Sequence, residues 1–379
     1  MTRFGKVGTL LVSGALASVL VAACGGENPD PQVGKNPPPP PTTTATNTAT
    51  PPPPPEMSTD DHRKAGKAAY DAGDYAKAAS ELEAVVAKEP NDVASQSMLG
   101  DTYAHQKNAA KSADAYFAAT KADGGKDEQL ALVAAKSLTD QKRYDDAIAV
   151  SQGALKNNDK SLPLWMYLGI AQCGKEDWAG AADTYGKLTK SFPDEPELWA
   201  TLAVVEIAAG KKDDAKKTAK TALDKWIEVR SPKTTKEVKL GKGADEICMI
   251  SRALRRSGDA AGALAALGKF PVRNDELSPE IDVEKGFSKE KLKDAKTAYA
   301  TADKVIKATH DSSASAHLLL AAVALDQKSP DIAKSQLAAF DSMGGDPAYK
   351  YDRAEIDARM NAAASTIVPT TTTPKPKAK

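Results

Sequence analysis

The sequence is poor in the residues that carry most protein chemistry. It has 3 cysteines and 4 histidines, which leaves little material for a disulfide framework or a structural metal site. His62, His105, His310 and His317 show no zinc-ligand spacing. Aromatic residues make up only 5% of the chain, lean for a large conventional core but suited to close-packed, alanine-rich helices. A net charge is missing too: 51 basic residues balance 51 acidic ones, so no global field draws the chain to nucleic acid. No Ser/His/Asp or Cys/His nucleophile arrangement can be nominated. Gly241-Lys242-Gly243 lacks the further glycine and the Ser/Thr of a phosphate loop. The chain therefore reads as non-enzymatic, with no cofactor and no metal.

An apolar run of membrane character occurs at the start. Arg3 and Lys6 precede an uncharged run, Val7 to Ala23, that ends in Val21-Ala22-Ala23-Cys24. The run is short for a bilayer span and has no charged stop-transfer flank, so residues 1–23 read as a secretory signal peptide. Val-Ala-Ala-Cys resembles the bacterial lipobox. That resemblance implies cleavage before Cys24 and attachment of lipid, palmitate among the acyl chains, to this residue. Several chains on one residue hold more firmly than one. Gly25 after the cysteine is compatible with outer-membrane sorting. The expected location is the cell envelope, lipid-anchored in the outer membrane and facing the periplasm.

Residues 24–57 form a Pro/Thr-rich linker holding half of the 24 prolines. With hardly any apolar residue to bury, it is expected to stay unfolded as a semi-rigid spacer. Residues 363–379 are Thr, Pro and Lys at the end and are expected to be a disordered tail.

Between these segments the sequence repeats. Ala78, Ser112, Ala147, Ala181 and Ala215 follow one another at 34, 35, 34 and 34 residues. Gly66, Gly100, Ala135, Gly169 and Ala203 keep the same intervals, as do Ala65, Leu99, Ala134, Leu168 and Leu202. Trp165, Leu168, Gly169, Ala181, Tyr185 and Pro193 supply the fullest version of the pattern. These in-phase series resemble the tetratricopeptide repeat, which implies an all-α solenoid of helix–turn–helix units sharing one elongated core. Residues 58–228 are read as repeats one to five and 229–245 as an irregular excursion. Residues 246–347 read as degenerate repeats in which Phe287 to Thr309 forms one helix, and 348–362 as a charged capping helix.

The resemblance also implies a concave face, on the first helix of each pair, that contacts ligands. Carried over, it comprises Arg63, Lys67, Ser97, Asp101, Leu132 and Lys136 in the first three repeats. Met166, Ile170, Cys173, Ala200, Val204 and Ile207 follow, then Arg252, Arg255 and Arg256. The residues expected to bind a partner are Met166, Ile170, Val204, Ile207, Arg63, Lys67, Arg252 and Arg255. Asp101 and Leu132 stand where the family's carboxylate clamp has Asn and Lys, so that activity is not carried over. The apolar strip has a second reading, in which residues 224–244 fold over it. Cys173 and Cys248, on first helices two repeats apart, are expected to remain unpaired. The function expected is a membrane-anchored, non-catalytic scaffold that binds a peptide or helix of another envelope protein. The alternatives are an assembly or regulatory subunit for pili, secretins, outer-membrane insertion or peptidoglycan enzymes, and an enzyme or a small-ligand-binding protein of the envelope.

Overall fold

The computed structural model describes residues 57–229, 243–270 and 278–365. The signal peptide, Cys24, the linker, residues 230–242 of the excursion and the chain beyond 365 lie outside the described residues.

The described residues are helical, with no strand among them. They fall into two compact units that divide between Tyr167 and Leu168, inside a helix. In the first unit α1 (Thr59–Asp71) pairs with α2 (Tyr75–Lys88), α3 (Val93–His105) with α4 (Ala109–Asp123), and α5 (Glu128–Asp140) with α6 (Tyr144–Leu155). Helix α7 (Leu162–Gly174) carries the division and is followed by α8 (Trp178–Ser191). In the second unit α9 (Pro196–Ala208) pairs with α10 (Lys212–Val229), and α11 (Ala244–Arg256) with α12 (Ala260–Leu267). Then α13 (Pro279–Lys291) pairs with α14 (Ala295–Ala308), and α15 (Ala314–Asp326) with α16 (Pro330–Ser342). A short 3-10 turn, Pro347–Tyr349, leads into α17 (Lys350–Ser365).

Each pair turns over on the same local device. One residue adopts a left-handed conformation at Gly73, Lys107, Lys142, Glu176, Gly210, Gly258, Lys293 and Lys328. The next residue caps the second helix in five of the eight pairs: Asp74, Asn108, Asp177, Asp259 and Asp294 each accept from a backbone N–H three residues on, at 2.9–3.2 Å. Such caps satisfy amides that helix starts leave unpaired. The left-handed residues are spaced 34, 35, 34, 34, 48, 35 and 35 apart. The period therefore continues to the end of the array. The apparent degeneracy after repeat five is one insertion of 14 residues (48 − 34), at the end of a longer α10 and in the segment beyond it.

The same phase governs packing. Ala78, Ala147, Ala181, Ala215, Ala263, Ala298 and Ala333 are fully buried at equivalent places on the second helices. Facing them, Gly66, Gly100, Ala135, Gly169, Ala203, Ser251, Gly286 and Ala321 occupy the first helices. A Cβ added at Gly100 or Gly169 would lie 2.7 Å from the ring of Tyr116 or Tyr185. The aromatic ring thus uses the volume that a larger first-helix residue would take. Leu82, Leu138, Leu188, Leu254 and Leu267 fill the rest of the pair interiors.

Phe287 to Thr309 is not one helix. Leu292, Lys293 and Asp294 interrupt it, Lys293 with φ 65° and Asp294 capping α14, so the segment spans the end of α13, a turn and the whole of α14. The uninterrupted apolar and alanine spacing across this turn hid it, because lysine is no sequence marker of a left-handed residue.

Gly169→Ala should lower stability by about 1–3 kcal/mol, because Tyr185 is fully buried and has no room to retreat. Gly186→Ala, on α8 with nothing within 4 Å of its added methyl, should instead raise stability by up to about 1 kcal/mol. Urea unfolding midpoints of the two variants compare them directly.

Candidate functional site

The first-helix face that the repeat pattern singles out lies at two positions, three residues before and one after the small packing residue. In the first unit these positions reach solvent. Lys67 and Lys136 have 61% and 59% of their side chains exposed, each beside an aspartate one turn on. Arg63, Ser97, Asp101 and Leu132 are half-buried. Arg63 is held by Asp60 and Glu89 and donates to Asp92 at 2.9 Å. Asp101 accepts from the Tyr116 hydroxyl at 2.5 Å. A cleft of about 260 Å³ opens between α1 and α3, lined by the stems of Arg63, Lys64 and Lys67 with Leu82 and Met98.

From α7 onward the same positions are covered. Met166 and Ile170 are only 5% and 4% exposed, and Ala200, Cys248, Val283, Phe287, Leu318 and Ala322 are buried. Val204 and Ile207 are half-buried, Val204 against the core that contains Trp226 and Ile250. Met166 and Ile170 are therefore not a free docking strip. Arg255 is wholly buried and Arg252 nearly so, so these arginines are not free to receive a partner either.

In the second unit the C-terminal segment occupies this face. Tyr349, Ile356 and Met360 join the cluster of Val283, Phe287, Leu318 and Ala322. Lys350 donates to Glu176 at 3.2 Å, just past α7, whereas Arg359 donates to Glu290 and Asp326 at 2.8 Å, at the ends of α13 and α15. Helix α17 thus runs across the ends of successive first helices. It fills this face with a few buried residues, and its charges are ion-paired inward as well as solvated.

At its centre is a buried ionic cluster. Asp352 accepts from Arg255 and Arg256, each at 2.5 Å, and Arg256 also donates to the Ala348 carbonyl at 3.1 Å. Glu284 accepts from Arg252 at 2.8 Å and from Arg255 at 3.2 Å. The three guanidiniums lie over rings: Arg252 over Tyr349, Arg255 over Phe287 and Arg256 over Tyr351, at 4.5, 4.9 and 5.1 Å. Burial opposes ionisation of both carboxyls. Arg255 and Arg256 nevertheless hold Asp352 well below the usual aspartate range, and Arg252 and Arg255 hold Glu284 down. Burial lowers Arg256, with Arg252 and Arg255 adding to it against the pull of Asp352.

Sequence reasoning picked the three arginines but not their partners Glu284, Tyr349, Tyr351 and Asp352. A signal existed: Tyr349, Asp352, Ile356 and Met360 recur at helical spacing on one side of an otherwise charged segment.

Cys173 and Cys248 are free and buried. Burial, with Asp177 nearby, pushes the Cys173 thiol up to about 12, and burial beside Glu284 raises Cys248 further. Neither is a poised nucleophile. Among the described residues no group of three or more His, Cys, Asp and Glu side chains could hold a metal ion.

Two outcomes are expected of this cluster. Both carboxyls are depressed in the folded state, so their contribution is complete above their ordinary values near 3.8 and 4.5 and is lost as pH falls through the lower folded values. Stability of the second unit should therefore decline on acidification below about pH 4, and Asp352→Asn should remove part of that dependence. Asp352→Ala at neutral pH should cost about 3–5 kcal/mol, capped by the energy with which α17 is held. Urea titrations at pH 7 and pH 3 measure both. Separately, iodoacetamide should label Cys173 and Cys248 in denaturant without reductant and neither in the native protein, as peptide mass spectrometry will show.

Family profiles agree with the repeat architecture over residues 63–203. Profiles of the tetratricopeptide repeat match residues 63–128 and 138–203. No curated protein matches the chain. Among solved structures it is similar to a tetratricopeptide repeat protein from Parabacteroides merdae, at 14% identity over 74% of this chain and 98% of that one, TM-score 0.40. It is similar to MamA at 19% identity over 47% and 96%, TM-score 0.37. It is also similar to PilW, a type IV pilus biogenesis factor, at 16% identity over 56% and 91%, TM-score 0.35. The two profile matches, together with the helix pairs and their common period, identify tetratricopeptide repeats in this chain over residues 63–203.

Proposed function

We propose that this protein is a non-catalytic scaffold for protein–protein interaction, anchored in the bacterial envelope through lipid on Cys24. Its docking face is formed by α1, α3 and α5. The observation that carries this reading is the contrast along the array: the equivalent first-helix positions are exposed at Lys67 and Lys136 and half-buried at Arg63 and Asp101, whereas Met166, Ile170 and Ala200 are buried. An open face of tetratricopeptide repeats suits a helix or an extended peptide of a partner. The cleft beside Lys64 and Lys67 suits an apolar anchor with a carboxylate next to it. The partner is another envelope protein, and the scaffold would serve an assembly process there. The lipobox resemblance and the proline-rich spacer support the location.

Lys67→Glu with Lys136→Glu should reduce partner capture from crosslinked membranes at least tenfold, with helical circular dichroism unchanged, since both side chains are exposed. Unchanged capture would remove α1–α5 as the docking face. Cys24→Ser should release the protein from membranes or leave its precursor uncleaved. A processed mutant that stays in the pellet after a high-salt wash would overturn the lipid anchor.

A further inference from the structure

The open face of the first unit is ordered in charge. Positions one and five residues after the small packing residue lie a turn apart on each first helix. On α1 they hold Lys67 and Asp71, on α3 Asp101 and His105, and on α5 Lys136 and Asp140. Across the three helices the first row therefore runs lysine, aspartate, lysine, and the second aspartate, histidine, aspartate. Each group is set by a neighbour. Lys67 donates to Asp71 at 2.8 Å, and Lys136 pairs with Asp140. Asp101 accepts from the Tyr116 hydroxyl of α4 through one oxygen. His105 stacks on Tyr75 with ring centroids 4.3 Å apart, and Tyr70 of α1 meets it edge-on at 5.9 Å.

No excess of one sign marks this face. Its two rows hold two lysines against three aspartates, and beside them Arg63 is taken up by Asp60, Glu89 and Asp92. Lys64 adds an exposed charge over the cleft. What distinguishes the face is the alternation. A ligand with acid, base and acid opposite Lys67, Asp101 and Lys136 meets an opposite charge at every step, whereas the reverse order meets three like charges. Spacing selects its conformation. Packed helices lie about 8–10 Å apart, and α1 and α3 touch. A polyproline II chain presents the same side every third residue, about 9 Å on. A strand turns residues three apart to opposite sides, and a docked helix needs an apolar stripe that these two rows do not match.

We propose that α1, α3 and α5 select an extended, proline-rich segment of a partner protein by its charge order. The segment carries an acidic residue, a basic residue three on and an acidic residue three further, set against Lys67, Asp101 and Lys136. An apolar residue next to the first acid enters the cleft beside Lys64 and Lys67. Surface pairs such as Lys67–Asp71 contribute little on their own, so the lysines turn to a second carboxylate at small cost. This chain's own proline-rich segment is not the occupant, because its charges, Glu27, Asp30, Lys35 and Glu56, do not follow that order. Selection by charge order rests on the reading of α1–α5 as the docking face.

The test uses the full chain and fluorescein-labelled peptides, read by fluorescence anisotropy. Leu-Glu-Pro-Pro-Lys-Pro-Pro-Glu should bind at least tenfold tighter than Leu-Glu-Pro-Pro-Glu-Pro-Pro-Lys, which has the same composition in another order. Lys67→Glu with Lys136→Glu should erase that preference. Asp101→Asn, which keeps an acceptor for Tyr116, should cut it at least threefold. Equal binding of the two peptides, binding of neither, or a preference that survives the lysine substitutions overturns the proposal. A helical peptide with the same three charges seven residues apart repeats them at about 10.5 Å. Tighter binding of that helix than of the proline peptide also overturns it. Capture of the native partner separates this proposal from the reading beneath it. If capture still falls with Lys67→Glu and Lys136→Glu while the peptides bind alike, charge order fails and the docking face stands. If capture is unchanged, the docking face itself fails.

Discussion

At one point in every helix pair the first helix offers space for a hydrogen, a methyl or a hydroxymethyl group and little more. Gly66, Gly100, Ala135, Gly169, Ala203, Ser251, Gly286 and Ala321 occupy that point. The second helix fills the freed volume with Leu82, Tyr116 or Tyr185, and the interhelical distance follows from that fit. The positions three before and one after then share one face of each first helix, since their spacing is close to a helical turn. A site made of side chains from several repeats exists only because this contact recurs in phase.

That common face has two fates. In the first unit it is mixed in charge, and exposed lysines pair with aspartates a turn away, an arrangement that water tolerates at little cost. In the second it is apolar at Val283, Phe287 and Leu318 and basic at Arg252 and Arg255, and the C-terminal segment covers it. Leaving such a face bare would expose a contiguous apolar patch, which monomeric chains rarely do.

The cover is not held by apolar contact alone. A wholly buried arginine is tolerable only when its charge is met, and Arg255 is met twice, by Asp352 and Glu284. Such a cluster adds little net stability relative to a packed hydrophobic core, but it penalises every register in which the carboxylate is misplaced. The ionic centre therefore fixes where α17 lies, while Tyr349 and Ile356 supply the apolar burial on either side.

The repeat, its period and the first five helix pairs were legible in the sequence, because close packing demands small residues at fixed intervals and leaves that mark whatever the surroundings. The separateness of Cys173 and Cys248 followed from the same register. The turn at Lys293 was not legible, since a lysine takes a left-handed conformation only where neighbouring helices compel it. Nor was the destination of Asp352, which meets Arg255 across 97 residues. Local pattern tells which face of a helix is apolar and which is charged. What covers that face is settled by chain segments distant in sequence, through geometry and charge that only the tertiary structure brings together.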